Sequence, residues 1–336
     1  MGGVDPAGPP PGFRAPLFES LEALVEGAQP DWLAILTPPS SHADLVHRGL
    51  RAGCHVFCEK PLTPDLPTAK TLIDLALSSD RHLVVNQEFR FMEQHQAAHR
   101  ALGGKDLGDL LFLEARQTFF TDEGTESGWR GQEERRTCQE FGIHVLDLCR
   151  FFFGEEPEKI YARMPRPRGG PDLLNLIQLD FPGERSAQIV LDRLSRGRHD
   201  YLDLRLDGTR GVVETHLGGR VEVRGGLRGG SRRPFLELDV AGGGRARLYQ
   251  GERFRTLGRD PLSLFATATQ RLLEAVFEAL RQGKEPPCLA ADHLRSLALV
   301  EAAYESDRLG LPLHFDWREG PSWSVEKRGS RGRSRE

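Results

Sequence analysis

Lys60 stands in the run His55-Val56-Phe57-Cys58-Glu59-Lys60-Pro61. Three apolar residues in succession (Val56, Phe57, Cys58) suit a parallel-sheet strand covered on both faces. Pro61 cannot extend a ladder, so the strand stops there. Glu59 and Lys60 are thereby left at the carboxyl end of a strand, where open α/β sheets bind ligands. An ammonium group in that place can act as an acid or steady charge on a reacting oxygen. The plain alternative is an exposed Glu-Lys pair. A second group lies in Glu140-Phe141-Gly142-Ile143-His144-Val145-Leu146-Asp147. A spacing of four puts Glu140 and His144 on one helix face, one turn apart. A carboxylate beside an imidazole fixes its orientation and favours its charged form, which suits a general acid/base. Asp147, three residues further on, can also reach His144. The alternatives are a structural histidine and zinc ligation. No third and fourth ligands stand out, so no metal site is expected.

Two weaker candidates accompany these. Thr37-Pro38-Pro39-Ser40-Ser41-His42 falls between a strand and a helix. The helix start offers free N–H groups and the positive end of a dipole to an anionic or polar ligand. An ordinary capped turn reads the same way, and His42 can face a ligand or cover the helix start. Arg90, between Phe89 and Phe91, can pair with a substrate carboxylate or hydroxyl, or serve as a salt-bridge partner. The arginine clusters at 193–198 and 228–233 read as solvated loops, with Arg193, Arg196 or Arg198 able to border a substrate pocket.

These residues need elements to hold them. Residues 31–36 and 55–59 read as buried strands, 42–52 and 63–79 as helices, and 83–85 as a third strand. Two rounds of strand and helix predict a parallel sheet with crossover helices. A short helix over 18–26 precedes them, with Ser20 as N-cap. Ser40 or Ser41 can cap the 42–52 helix, Gly53 can close it, and Pro67 is tolerated near the start of the next. After a helix near 92–102 the pattern changes. A strand at 110–118, a polar loop at 121–134 and a helix from 135 to 153 lead into strands at 174–181, 186–194, 200–206, 211–216, 220–224, 235–240 and 246–249. Pro182-Gly183 and Asp207-Gly208 suit hairpin turns of an antiparallel sheet. Helices at 262–282 and 291–309 close the fold, and the Arg/Ser/Gly-rich stretch 318–336 reads as disordered.

Composition narrows the classes. The 336 residues allow two domains, and 38% hydrophobic residues suffice for folded cores. A formal net charge of -4 gives no basic field for nucleic acid. No run reaches the length of a membrane span and no secretory leader opens the chain, so no membrane partner is expected. Five scattered cysteines without C-x-x-C spacing suggest a reduced, cytoplasmic setting with cysteines as core residues.

Together these motifs resemble the glucose–fructose oxidoreductase / inositol dehydrogenase (Gfo/Idh/MocA) family. The likeness runs from about residue 3 to about residue 315. It is carried by Glu59-Lys60-Pro61, by the G-I-H-x-x-D run at Gly142, His144 and Asp147, and by Thr37, Pro38 and His42 upstream. The closing helix Leu297 to Ser306 also looks like the family's last. The resemblance implies a Rossmann-like domain over 1–91 and a substrate and oligomerisation domain over 92–317, with a tail at 318–336. The fold class is α/β: an N-terminally truncated parallel sheet followed by an α+β domain with a large, mainly antiparallel sheet. It implies hydride transfer between NAD or NADP and a hydroxyl of a sugar, polyol or related alcohol, in a homo-oligomer. It places Lys60 near substrate and nicotinamide and makes His144 the acid/base on the reacting hydroxyl. Glu140 stands where the family usually has Asp, adding one methylene of reach. Arg90, Glu140, Asp147, His144 and Lys60 become substrate-side residues. Asp5, Thr37, Pro38, His42, Glu59 and Lys60 become cofactor-side residues.

One departure bears on the cofactor. A dinucleotide fold opens with a strand, a Gly-rich turn and a helix, and no G-x-G-x-x-G occurs before residue 31. Gly3-Val4-Asp5-Pro6 looks like the end of the family's second strand, which makes Asp5 the ribose ligand and favours NAD. On that alignment roughly 30 residues of the first strand, turn and helix are absent. That leaves sheet edges unpaired and removes the pyrophosphate site. Two readings follow: a fragment of an ordinary NAD(P)-dependent oxidoreductase, which is favoured because Lys60 and His144 are intact, or a non-catalytic relative that binds a sugar-like ligand or a partner. A third keeps the fold but uses NAD transiently to cleave glycosidic bonds.

Overall fold

The computed structural model describes residues 2–5, 8, 12–121, 134–167, 169–197, 200–218, 220–227, 234–241, 243–260 and 264–325. The chain divides into two compact units, Met1–Asn86 with Gly283–Leu294, and Gln87–Gln282 with Arg295–Glu336.

In the first unit Ser20 Oγ accepts the Ala23 N–H and starts helix α1 (Leu21–Ala28). Strands β1 (Trp32–Ile35), β2 (His55–Cys58) and β3 (Leu83–Val85) form a parallel sheet in that order, with Leu33 opposite Val56 and Phe57 opposite Val84. Helix α2 (His42–Arg51) links β1 to β2, and α3 (Leu66–Ser78) links β2 to β3. The crossover helices are the reason parallel neighbours are possible at all. Asp65 Oδ1 caps α3 by accepting the Thr68 N–H at 2.8 Å, and Pro67 lies in its first turn, where a missing N–H costs nothing. Ser41 does not cap α2 as expected. A 3-10 turn (Pro39–Ser41) precedes that helix, and the Ser41 hydroxyl donates instead to the Pro38 carbonyl at 2.9 Å. Gly53 closes α2 with φ +82°, a conformation that needs no side chain. The open side of β3 is met by Cys288, whose carbonyl accepts the Val85 N–H.

In the second unit ten strands make one mixed sheet in the order β13-β12-β9-β8-β4-β7-β6-β5-β14-β15. These are β4 (Leu110–Thr118), β5 (Lys159–Arg163), β6 (Leu174–Phe181), β7 (Arg185–Asp192), β8 (Asp200–Gly208), β9 (Val212–Leu217), β12 (Gly244–Gln250), β13 (Arg253–Asp260), β14 (Leu313–Asp316) and β15 (Ser322–Val325). Only β4 and β7 run parallel; every other pairing is antiparallel. A separate hairpin joins β10 (Arg220–Leu227) to β11 (Pro234–Ala241). Leu113, Ala115, Ile177, Ile189, Leu204, Leu206 and Val213 are buried, in alternation with polar neighbours along their strands. Helix α4 (Glu93–Arg100) packs on β9, β12 and β13, and α5 (Ile143–Phe153) packs on β4. Two further helices, α6 (Leu264–Arg281) and α7 (Ala290–Leu309), complete the unit, the first turn of α7 belonging to the first unit.

Four expectations need correction. Asp207-Gly208 is not a turn: β8 runs through Gly208, and the chain reverses at Thr209–Gly211. Strand β13 occupies a stretch to which the sequence assigned no strand, because its Arg, Thr and Gly residues hide the alternation. The tail expected to be disordered from 318 contains β15, which pairs with β14 through Phe315 opposite Trp323; residues 326–336 lie outside the described set. The helix expected over 135–153 is a π-helical turn (Cys138–Gly142) followed by α5. All five cysteines are reduced and buried. Among the described residues no helix is long and apolar enough to cross a membrane.

Candidate functional site

In the first unit the carboxyl ends of β1 and β2 present two short loops. One carries Thr37 to Ser41, the other Glu59, Lys60 and Pro61, with the Lys60–Pro61 peptide cis. His42 ties them together. It is fully buried, with Nδ1 at 2.8 Å from the Pro61 carbonyl and Nε2 at 2.8 Å from the Thr37 carbonyl. Both ring nitrogens are thus spent on the backbone. His42 therefore spans the two loops through their backbone. Glu59 is held by Asn86, whose Nδ2 donates to Oε1 at 2.7 Å, and its Oε2 accepts the Lys60 N–H at 3.3 Å. The Glu59 carboxylate therefore faces β3 and its own loop. Lys60 is half-buried. The Thr37 hydroxyl shares a 2.6 Å hydrogen bond with Ser41. Asp5 is exposed, and its carbonyl accepts the Gly8 N–H.

In the second unit the parallel pairing of β4 and β7 sends both carboxyl ends out on one side, and antiparallel β8 begins there. Thr118 stands opposite Asp192 on one side and Asp200 on the other. Phe119 and Thr121 continue the contact through N–H bonds to the carbonyls of Asp192 and Arg193. Phe119, Arg193 and Tyr201 are thereby gathered at one end of the sheet. The π turn enters from Asp172, a fully buried carboxylate that accepts the backbone N–H groups of Arg136 and Cys138 and the Asn175 side chain. This cap fixes where the turn starts. Gly142 lies close to Cys138, so that an added Cβ would come within 3.1 Å of its Sγ.

A π turn is wider than an α turn, so residues four apart no longer stack on one face. Glu140 reaches to Arg193, with Oε2 3.2 Å from Nη1. His144, 6% exposed, lies flat on Phe89 with ring centroids 4.1 Å apart and meets the edge of Phe141. Phe141 and Phe265 each present an edge to Tyr201. Burial raises the Tyr201 phenol above its ordinary pKa; the Arg193 charge opposes this, and Glu88 and Glu140 add to it. The result is an imidazole in an aromatic wall, beside a carboxylate–guanidinium pair.

Asp147 turns its carboxylate to donors within the protein. Its carboxylate accepts Arg90 in bidentate fashion (Nε to Oδ2 and Nη2 to Oδ1, each 2.6 Å), the Ser296 hydroxyl at 2.8 Å and the Gln87 amide. Arg150 Nη1 lies 3.5 Å away, while its Nε and Nη2 each bind Glu156 at 2.7 Å. A carboxylate with this many donors is an internal counter-ion. It anchors α5 to the Glu88–Phe91 turn and to α7. Arg90 is committed to the same pair, as its salt-bridge reading allowed.

Gln87, Phe89, Asp172, Arg150 and Ser296 were missed as site-supporting residues. Phe89 alone carried a signal, as a neighbour of Arg90. Arg196 stacks over Phe120 at 3.8 Å. Arg198, residues 122–133 and residues 228–233 lie outside the described residues. Among the described residues no cluster of His, Cys, Asp or Glu is arranged to hold a metal.

The loops of the first unit fit the nicotinamide and ribose half of a dinucleotide: two strand ends side by side, small hydroxyl side chains at Thr37, Ser40 and Ser41, and a half-buried lysine. Donors for a pyrophosphate in a Gly-rich turn are not found among the described residues.

Comparison with known proteins fits this division. Residues 11–87 match the family described as oxidoreductase family, NAD-binding Rossmann fold, and residues 95–214 match the GFO/IDH/MocA C-terminal domain. The chain belongs to the Gfo/Idh/MocA oxidoreductase family. It is 26% identical over 327 residues to D-apiose dehydrogenase of Paraburkholderia graminis, covering 94% of this chain and 80% of the relative. It is 24% identical over 293 residues to inositol 2-dehydrogenase of Rhizobium meliloti, covering 85% and 81%. Among solved structures, an oxidoreductase from Agrobacterium radiobacter in complex with NAD+, L-tartaric acid and magnesium superposes with a TM-score of 0.72 at 23% identity, covering 89% of this chain and 84% of that one. Levoglucosan dehydrogenase in complex with NADH and levoglucosan gives 0.71 at 17% identity, covering 89% and 84%.

Proposed function

We propose that the chain transfers hydride between NAD(P) and a hydroxyl of a sugar, polyol or related alcohol. The observation that carries this reading is the half-buried Lys60 beyond the carboxyl end of β2, in the NAD-binding domain. It is supported by a buried imidazole, His144, in the aromatic wall of the second unit. The bound nicotinamide supplies the hydride acceptor. His144 takes the proton from the reacting hydroxyl. The Lys60 ammonium steadies the oxygen as it loses that proton. Phe89 keeps water from one face of the imidazole, and Glu140 with Arg193 holds neighbouring hydroxyls. Thr37 and Lys60 contact the nicotinamide–ribose half, His42 and Glu59 set their loops, and Asp5 serves the adenosine ribose and favours NAD.

The test is Lys60→Met and His144→Gln, with NADH formation followed on a panel containing myo-inositol and D-apiose. Each variant is expected to lose roughly 10²–10⁴-fold in kcat while keeping its melting temperature. Wild-type rates in Lys60→Met would sink the reading. Stoichiometric NADH formation also separates a dehydrogenase from an enzyme that recycles its cofactor.

The same reading includes self-association. On β4, β8 and β9 the exposed Glu114, Arg205 and Glu214 stand opposite one another. Charges that alternate in sign can pair with a second copy turned end to end. Light scattering is expected to give the mass of a dimer or tetramer, and a one-chain mass at working concentration counts against it.

A further inference from the structure

Ser296 is fully buried on α7, and its hydroxyl stands between a carboxylate and a guanidinium. The hydroxyl donates to Asp147 Oδ1 at 2.8 Å and accepts from Arg150 Nη1 at 2.8 Å. Both directions are forced, since a guanidinium only donates and a carboxylate only accepts. Arg150 Nη1 itself stays 3.5 Å from Asp147 Oδ1. The other two nitrogens of Arg150 are held by Glu156, which also takes Arg295 at 3.0 Å. The arm of Arg150 that faces Asp147 is thus Nη1, and the Ser296 hydroxyl sets how near it comes.

Asp147 is shared between two guanidinium groups on unequal terms. Arg90 has both carboxylate oxygens, through Nε to Oδ2 and Nη2 to Oδ1, each at 2.6 Å. Arg150 reaches Oδ1 through the neutral hydroxyl of Ser296. Without that hydroxyl, Arg150 Nη1 loses a buried acceptor and has to find another. A shift of under about 1 Å brings it to the length of a charge-assisted bond with Oδ1. Oδ1 would then carry two guanidinium groups, and like charges at that range repel. The group with the easier alternative gives way. The Arg90 side chain is 15% exposed and that of Arg150 5%, and Arg150 is pinned by Glu156. Arg90 therefore yields, keeping Nε on Oδ2 and turning Nη2 to water.

Arg90 is joined to Phe89 in the Glu88–Phe91 turn, and Asp147 lies three residues beyond His144 on α5. The bidentate pair fixes that turn against α5, and with it the 4.1 Å stack of Phe89 on the imidazole. We propose that Ser296 is a positioning residue for His144: its neutral hydroxyl keeps Arg150 off Asp147, reserves the carboxylate for Arg90 and thereby holds Phe89 against the imidazole. The proposal rests on the hydride-transfer reading for its effect on rate, and on the network alone for its effect on the stack.

The test uses the full chain with histidine labelled at the ring Cε1. A ring stacked on Phe89 carries an upfield ring-current shift, and the His144 resonance is assigned by its absence in His144→Gln. Ser296→Ala is expected to lose most of that shift and to lower kcat with myo-inositol or D-apiose about tenfold, with KM for NAD+ unchanged within about twofold. Ser296→Ala combined with Arg150→Met removes the group being restrained. The double variant is expected to recover the shift and to bring kcat within about threefold of the parent. A residue that merely packs gives losses that add in the double variant instead. Ser296→Cys, whose thiol bonds weakly, repeats the test should the alanine variant fail to fold. A parental shift in Ser296→Ala overturns the proposal, and so does a double variant no better than the single one. A lost shift with a parental kcat also overturns it, since the stack then does not govern the reaction. A parent chain inactive on every polyol overturns the hydride-transfer reading instead, and the ring-current shift then decides the proposal by itself.

Discussion

The imidazole of His144 lies parallel to the ring of Phe89, with centroids 4.1 Å apart and planes inclined by 10°. The two residues are brought together by their neighbours in sequence. Arg90 follows Phe89 and Asp147 follows His144 by one helical turn, and the bidentate Arg90–Asp147 pair clamps the two segments. An electrostatic contact thus sets an aromatic one, and the aromatic one restricts how the candidate acid/base can turn. Phe89→Leu removes the stack and keeps most of the volume. It is expected to cost about 1–2 kcal/mol of stability and to lower kcat by about tenfold, with cofactor affinity unchanged. Urea melts and steady-state kinetics check this. A stability loss with an intact kcat would show that the stack is packing only.

The clamp itself gives the next prediction. Asp147 and Arg150 have side chains 5% exposed, and Arg90 15%. Removing the carboxylate charge leaves two guanidinium groups without this counter-ion, although Arg150 keeps Glu156. Asp147→Asn is expected to destabilise the chain by about 3 kcal/mol. Arg90→Met is expected to cost less, because Asp147 retains Ser296, Gln87 and Arg150 as donors. The two should be non-additive in a double-mutant cycle by more than about 1 kcal/mol. Strict additivity would mean that the pair contributes nothing of its own.

His42 supports a prediction about the first unit. A neutral imidazole has one N–H, so only one of its two 2.8 Å carbonyl contacts is a hydrogen bond in that form, and the protonated ring donates to both. His42→Phe keeps the ring and removes every donor. It orphans the carbonyls of Thr37 and Pro61, and an expected loss of about 1–3 kcal/mol follows. The two loops are then free to move apart, so the dissociation constant for NADH should rise by about tenfold while kcat at saturating cofactor falls little. Fluorescence titration with NADH measures it, and an unaltered affinity would place His42 outside the cofactor's support.

How far the sequence carried depends on what each residue had to contact. Strands β1 to β3 and their helices were legible because apolar runs, caps and prolines are local signals, and Lys60 could be placed from Pro61 alone. The spacing argument for Glu140 and His144 assumes an α-helix, and the chain forms a π turn at Cys138–Gly142. The π turn is set by Asp172, more than thirty residues downstream, through bonds to Arg136 and Cys138. The partners of Asp147 were hidden for a similar reason: Arg90 and Ser296 come from distant stretches, and a carboxylate carries no local sign of how many donors will reach it. Strands β13 to β15 were hidden by polar and short sequences. Strand β14 is held by pairing with β5 and β15, a choice made by the sheet and not by the segment.

The segment behind Phe89 yields a pH dependence. His95 is fully buried, and its Nδ1 lies 2.7 Å from the Phe89 carbonyl, which can only accept, so that nitrogen carries the proton. Nε2 is buried with no partner. Burial pushes the His95 pKa down to about 4, with the Phe89 bond opposing in part. The folded pKa therefore lies below the unfolded value of about 6.5. Between those limits the unfolded chain binds the extra proton and the folded chain does not, so acid favours unfolding. The stability His95 allows is present in full above about pH 6.5 and is lost as pH falls through the window to about 4, amounting to about 3 kcal/mol. His95→Asn keeps an amide N–H for the Phe89 carbonyl and removes the titration. Its urea-unfolding free energy is expected to fall less between pH 7 and pH 4.5 than that of the parent, by about 2–3 kcal/mol. Parallel pH profiles for the two proteins would assign the acid sensitivity to other groups, and the tie between His95 and the turn that carries Phe89 would then have no part in it.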